Sequence, residues 1–403
     1  MMKKLILSLL LIVSITTIYA QKANVNKAKN KALMETPDFV GARELIKLAL
    51  EDETTKSQAN TWYVAGLIGS KENENFEKMS VLGQTDQDKK GQVVLESYNY
   101  LLVADELDQQ PNEKGKVKPK FRRDIKRMVG EYYNYNLINY GAYLFDKNDY
   151  DGALNVFNVY LGIPDLPLSE GGIVKDSTYN MIQYYAAFSA ANAGKNQEAI
   201  RHYEILKNKD YEASTVYQRL YEEYSKLNDT INFIRVLEEG MVKFPAEPWF
   251  LQNLINYHIY SGSREVALQY LNTAIERDPT LAQYRFVEGG LYEELGDSEK
   301  AKIAYLKTIE IDPTSANAYD ALGRLHYKKA ISILDETFNI RDAKKMREEE
   351  AKATAELRLA LPFYQEAVKL DPETMSYKVL LRAIYYRLGM DKEYEAIDKE
   401  ING

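Results

Sequence analysis

Apolar residues in the second half of the chain recur three and four positions apart. Leu251, Leu254 and His258 form one run, Ala267, Leu271 and Ala274 the next, and Gly262 lies between them. This spacing places side chains on one face of an α-helix, so the pattern predicts two helices joined at a glycine. The double run repeats from Ala282 to Ser315. Gly289 and Tyr292 share a first stripe, Gly296 breaks it, and Asp297 or Ser298 caps a second helix carrying Ala301, Tyr305 and Ile309. Pro245, Pro279 and Pro313 stand 34 residues apart. Proline cannot continue a helix, so each closes one pair and opens the next. Prolines confined to hairpin ends and helical periodicity throughout predict almost no β-structure.

The pattern extends in both directions. Ser214, Tyr217, Leu220, Tyr224, Leu237 and Pro245 fit it, with Phe233 in place of a small residue. Ala186, Ala187, Gly194, Ala199 and Tyr203 follow from Asn180, and Leu137, Gly141, Leu144, Ala153 and Phe157 from Asn134. Tyr319, Leu322 and Gly323 give another first helix, whose partner comes late, with Ala360, Tyr364, Ala367 and Pro372. Pro313 to Pro372 is 59 residues, which is 34 plus an insertion of 25. The mixed-charge stretch Arg341 to Arg358 predicts helix extension there. Before Gly91 the phase loosens. Lys22 to Met34 and Phe39 to Leu50 predict a first pair broken at Pro37. Ala59, Trp62, Ala65 and Gly66 predict a first helix, and Gln92 to Asp108 its partner, with the polar stretch Lys71 to Lys90 between them.

The Gly, Tyr, Ala, aromatic and Pro positions of Ala282 to Ser315, with their 34-residue period, resemble the tetratricopeptide motif. Glu288 departs from it where the motif prefers Leu. The resemblance implies an all-α, right-handed superhelical solenoid of stacked helix–turn–helix repeats. The expected organisation is a signal peptide over 1–20, degenerate helix pairs over 21–110, and a basic linker and helix start over 111–133. Repeats over 134–374 follow, with an insertion near 330–354, and capping helices over 375–403.

Composition narrows the function. Lys3 and Lys4, the apolar run Leu5 to Ile18, and Tyr19-Ala20-Gln21 have the layout of a secretory signal peptide cut after Ala20. That predicts export across an inner membrane, most simply to a periplasm, with no membrane span afterwards. The chain has no Cys, which excludes disulfides, Cys nucleophiles and a lipid anchor on Cys. Removing Lys3 and Lys4 leaves 50 basic against 60 acidic residues, a net charge of −10. Phosphate contacts need surplus Lys and Arg, so nucleic acid is not the expected partner.

No catalytic motif, metal ligand set or cofactor motif stands out, and the expectation is a binding protein rather than an enzyme. His258 and His326, two repeats apart, read as packed imidazoles in place of Tyr. Gly171-Gly172 reads as part of a long loop from Pro164 to Ser177 rather than a phosphate cradle. Lys114 to Arg127 holds eight basic residues and Asp124. It reads as a solvated loop running into a helix, or as a docking patch for an acidic protein or for lipid phosphate. In tetratricopeptide proteins the first helices line a concave groove that holds protein segments. The resemblance carries this role to Tyr135, Ile138, Phe145, Tyr184, Phe188, Gln218, Glu222, Trp249, Gln252, Asn256, Tyr260, Phe286, Glu293, Asp320 and Arg324. Tyr184 and Phe188 read either as exposed anchors or as packing between repeats. The expected role is a periplasmic scaffold holding a segment of a cell-envelope protein. The alternatives are an accessory subunit of an envelope enzyme and a self-assembling structural solenoid.

Overall fold

A computed structural model describes residues 21–170, 173–209 and 211–402. The expected signal peptide and Gly171-Gly172 lie outside the described residues. Among the described residues there are helices and turns and no strand. Two compact units divide the chain at Phe233 and Ile234.

In the first unit a helix α1 (21–32) is followed by α2 (Phe39–Glu51), α3 (Ala59–Ser80) and α4 (Gln87–Asp108). Next come α5 (Arg122–Glu131), a π-helical turn (Tyr132–Asn136), α6 (Leu137–Asp146) and α7 (Tyr150–Gly162). Then α8 (Ser177–Asn192), α9 (Asn196–Leu206), α10 (Ala213–Lys226) and the start of α11 (Thr230–Lys243) complete the unit. The second unit holds the rest of α11, then α12 (Pro248–Tyr260), α13 (Arg264–Arg277), α14 (Ala282–Glu294) and α15 (Ser298–Ile311). It ends with α16 (Ala316–Thr337), α17 (Ala343–Leu370), α18 (Met375–Leu388) and α19 (Asp391–Asn402). Within each unit the helices pack mainly on their neighbours in sequence. Such nearest-neighbour stacking defines a solenoid.

Most of the hairpins share one turn. The chain enters the left-handed region at Asn148 (φ 60°), Gly194 (73°), Asn228 (55°), Gly262 (77°), Gly296 (78°) and Gly389 (66°). After each, a backbone N–H reaches five residues back, as in Asp149 to Leu144, Lys195 to Ala190 and Asp297 to Tyr292. This is the Schellman closure, which satisfies carbonyls at the helix end. The turn residues from Gly194 to Gly296 are 34 apart. Gly296 to Gly389 is 93, two periods plus the insertion of 25.

Close helix approach is fixed at a second recurring point. A Cβ on Gly141 would lie 2.3 Å from the Phe157 ring, on Gly289 2.4 Å from Tyr305, and on Gly323 2.7 Å from Tyr364. The first two pairs are 16 residues apart and the third 41, again a difference of 25. The insertion therefore lies between these contacts, where it lengthens α16 and α17 into one long hairpin. Glu288 is tolerated in the core stripe because Arg285 pairs with it at 2.8 Å while it stays buried.

Three expectations need correction. Lys71 to Ser80 is not a linker but the last turns of α3, and α4 begins at Gln87. The first helix expected from Asn134 begins at Arg122, so the basic segment contributes most of α5. Pro362 lies inside α17 rather than at a hairpin end.

The π-helical turn explains how the stripe of α5 joins the phase that starts at Asn134. Eleven residues make three α-helical turns, so Ile125, Val129 and Tyr132 predict inward positions at 136, 140 and 143. The inward residues of α6 are instead Leu137, Gly141 and Leu144, each 12 residues on. One extra residue in the turn shifts the stripe by one position.

Candidate functional site

In the second unit, three first helices, α12, α14 and α16, enclose an open recess of about 610 Å³. Its floor is Ile259, Phe286, Val287 and Leu291, with Tyr305 behind. Phe286 is half-buried and held by the Tyr305 ring at 5.6 Å. Its edge is charged. Glu293 accepts hydrogen bonds from Arg324, from Lys328 at 2.8 Å and from the Tyr305 hydroxyl at 3.2 Å. Arg324 also faces Asp320, one turn before it on α16, at 3.8 Å.

The electrostatics follow from this geometry. Burial works to raise Glu293, but the Lys328 hydrogen bond and the Arg324 charge outweigh it, so its carboxyl titrates below the ordinary value. For Asp320 burial wins over Arg324, and its pKa is raised. Burial, with Glu293 nearby, pushes Tyr305 up to about 12. The recess thus offers an apolar floor beside two cations balanced by two carboxylates. That suits an apolar side chain flanked by hydrogen-bonding backbone.

Of the residues assigned to the groove from sequence, Phe286, Glu293 and Arg324 line this recess. Gln252 and Asn256 are exposed on α12, and Tyr260 is 90% exposed at its C-terminal end. Trp249 is half-buried, its ring edge-on to Phe250 at 5.1 Å. In the first unit, Phe145, Tyr184 and Phe188 are half-buried rather than free anchors. Phe145 meets Phe188 at 5.7 Å, the Arg219 guanidinium lies 5.7 Å over Phe188, and Tyr184 meets Tyr203 at 5.9 Å. They form a seam joining α6, α8 and α10. Glu222 is paired with Arg219 at 2.8 Å, and Gln218 is half-buried beside it on α10.

Tyr185, which no sequence pattern singles out, is the more exposed ring of that seam, at 38%. Tyr135 is 59% exposed and Ile138 half-buried on the continuous α5–α6 helix. In the basic segment, Lys114, Lys116, Lys118 and Lys120 are exposed. Arg122 pairs with Asp105 at 3.0 Å and Arg127 with Glu131 at 2.8 Å. Part of that charge therefore serves local structure. The histidines sit apart. The His258 ring stacks on Tyr270, and His326 Nδ1 lies 2.7 Å from Glu356.

No protein-family model matches the chain. Among curated proteins, it is 32% identical over 115 residues to a UDP-N-acetylglucosamine–peptide N-acetylglucosaminyltransferase of Giardia intestinalis. That match covers 27% of this chain, and the chain spans 8% of that protein. Among solved structures, a tetratricopeptide-repeat protein of Bacteroides fragilis is 20% identical, covering 62% of this chain and 96% of that one (TM-score 0.31). The C-terminal part of a repeat protein from Cytophaga hutchinsonii is 18% identical, covering 65% and 93% (TM-score 0.41). MamA is 20% identical, covering 47% and 97% (TM-score 0.32). The chain's own 34-residue recurrence of the left-handed turn, with a glycine-to-ring contact inside three of its helix pairs, makes it an all-α solenoid of paired helices, and the solved structures it is similar to include tetratricopeptide-repeat proteins.

Proposed function

We propose that this chain is an exported, non-enzymatic scaffold that holds a protein segment of the cell envelope, most simply in a periplasm. The observation that carries the reading is the recess lined by α12, α14 and α16. Its apolar floor and balanced charged edge suit a peptide rather than a reacting small molecule. The charged start and apolar run over residues 3–18 support export. The net acidity of the exported form supports a protein partner over nucleic acid. Among the described residues no helix is long and apolar enough to cross a membrane.

The test is photo-crosslinking in the native host with benzophenone-phenylalanine at Gln283, an exposed residue on the recess wall. The expected result is one dominant crosslink to an exported protein. Phe286→Ala and Lys328→Glu, each separately, should reduce it about tenfold, the loss of ~1.4 kcal/mol of binding. Lys328 is 63% exposed, so its replacement leaves the fold intact. Crosslinks only to cytoplasmic proteins, or yields unchanged in both variants, would overturn the reading.

A further inference from the structure

The loop between α4 and α5, in the first unit, runs against the net acidity of the chain. Every residue over 110–120 is exposed, and the stretch holds Lys114, Lys116, Lys118 and Lys120 with Glu113 as its one acid. Arg123 and Lys126, exposed on the first turns of α5, extend the charge. Among the described residues the ion pairs of this segment fall to Arg122, with Asp105 at 3.0 Å, and Arg127, with Glu131 at 2.8 Å, and not to the lysines or Arg123. The Lys126 ammonium donates to the Glu170 backbone carbonyl at 3.2 Å, a neutral acceptor that leaves its charge uncompensated.

The loop is held at both ends rather than folded back onto the helices. At its start the Asn112 side chain accepts the backbone N–H of Lys114 at 3.0 Å and that of Lys116 at 3.2 Å, and the Asn112 N–H reaches the Lys116 carbonyl at 3.0 Å. This turn, with Gly115 at φ 69°, closes the tip. At its end the Phe121 N–H donates to the Asp108 carboxylate at 2.7 Å, and the Phe121 ring stacks on Tyr63 at 4.3 Å. The lysines are therefore presented to solvent from a fixed base, and binding through them has less backbone freedom to remove than binding through a disordered tail.

The residue types select the partner. Recognition of carboxylates on a protein favours Arg, whose planar fork makes two hydrogen bonds at once. Here Arg122 and Arg127 are already occupied by Asp105 and Glu131. What faces solvent is mainly lysine, a point charge on a flexible stem, which suits phosphates spread over a surface. Val117 lies between Lys116 and Lys118 and is 50% exposed. Against an acidic protein segment it would sit among charges, whereas a lipid headgroup layer accepts an apolar side chain beside ammonium groups. We infer that the loop over residues 111–120, with Arg123 and Lys126, docks this chain on an anionic lipid surface, the lysines meeting headgroup phosphates and Val117 entering the layer.

The test is cosedimentation of residues 21–403 with lipid vesicles. This form keeps every described helix and omits the apolar run Leu5 to Ile18, which would enter lipid by itself. Vesicles of phosphatidylcholine with about 30 mol% phosphatidylglycerol should bind it at ~0.1 M salt and release it at ~0.5 M, where surface charges are screened. Vesicles of phosphatidylcholine alone should not bind it. Lys114→Ala, Lys116→Ala, Lys118→Ala and Lys120→Ala combined should weaken binding about a hundredfold or more, since each Lys near such a surface strengthens it roughly fivefold. Val117→Ser should weaken it about threefold with the charge unchanged. The same loss of charge at Lys344, Lys345, Arg347 and Lys352 on α17 should leave binding as it is, and circular dichroism checks the helices of every variant. No binding to the anionic vesicles, equal binding to the neutral ones, or full binding by the quadruple loop variant or by Val117→Ser would overturn the inference. So would release by about 1 mM hexaglutamate at constant ionic strength, which would assign the loop to an acidic peptide.

Discussion

His202 is buried on α9, and burial pushes its pKa down to about 4 from the ordinary 6.5. Its Nδ1 meets the Gln183 amide, and its Nε2 has no hydrogen-bond partner. The neutral ring can accept from Gln183, whereas a protonated ring would set donor against donor. Between pH 6.5 and 4 the unfolded chain binds a proton here that the native chain does not. Stability therefore rises with pH across that window and is lost as pH falls through it. The loss is bounded at about 3 kcal/mol, because each tenfold change in proton affinity is worth ~1.36 kcal/mol. Urea unfolding at pH 7 and pH 4.5 should show a larger acid loss in the wild type than in His202→Gln. Acid-sensitive carboxylates such as Glu293 contribute to both proteins and cancel in the comparison. Equal losses would show that His202 is not the titrating group. Nothing in the sequence pattern distinguishes His202 from the other two histidines of the chain. Its burial depends on the packing of α8 against α9, which no local pattern displays.

At the scale of the helix pair, Gly289 and Gly290 are adjacent on α14 and have opposite surroundings. A methyl on Gly289 would strike the buried Tyr305 ring at 2.4 Å, while one on Gly290 would meet only the Tyr305 hydroxyl at 3.9 Å. Gly289→Ala should therefore destabilise by roughly 1–3 kcal/mol from overpacking. Gly290→Ala should be neutral, or stabilise by up to about 1 kcal/mol through helix propensity. Thermal unfolding of the two variants distinguishes them, and equal melting temperatures would remove the glycine-to-ring contact as the determinant of helix approach. The contact at Gly289 was legible because motif and period coincide there. The turn residues Asn148 and Asn228 were not, because asparagine supplies the left-handed conformation without the glycine signal. The length of α3 was also hidden. Glu72 and Asn73 read as solvated, yet both are buried, and Arg43 pairs with Glu72 at 2.7 Å.

The whole molecule was legible as a solenoid because its period survives insertion, so that Gly296 to Gly389 still counts as two repeats plus 25. Its division into two units was not legible, since the 34-residue phase runs through the boundary without a break in turn spacing. Each unit has its own buried core. In the first are Leu101, Ile125, Met128, Phe157 and Tyr203, and in the second Phe250, Leu271, Tyr305, Leu322 and Tyr364. In a solenoid, stability is close to a sum of repeat and neighbour terms, so removing one block need not unfold another. A cut between Asn228 and Asp229 spares the Asp229 carboxylate that receives the Asn232 N–H at the start of α11. It also keeps Gly240 against Phe250, where a Cβ would lie 2.5 Å from the ring. The first fragment loses the Phe233 ring that rests on Tyr221 at 5.6 Å. Residues 21–228 and 229–403, produced separately, should each show strong helical circular dichroism and a cooperative melt. The second should be the less perturbed, because it retains its starting cap and its first glycine-to-ring contact. Loss of helix in both fragments would mean that the chain folds as one indivisible core, and the additive description of its repeats would have to be abandoned.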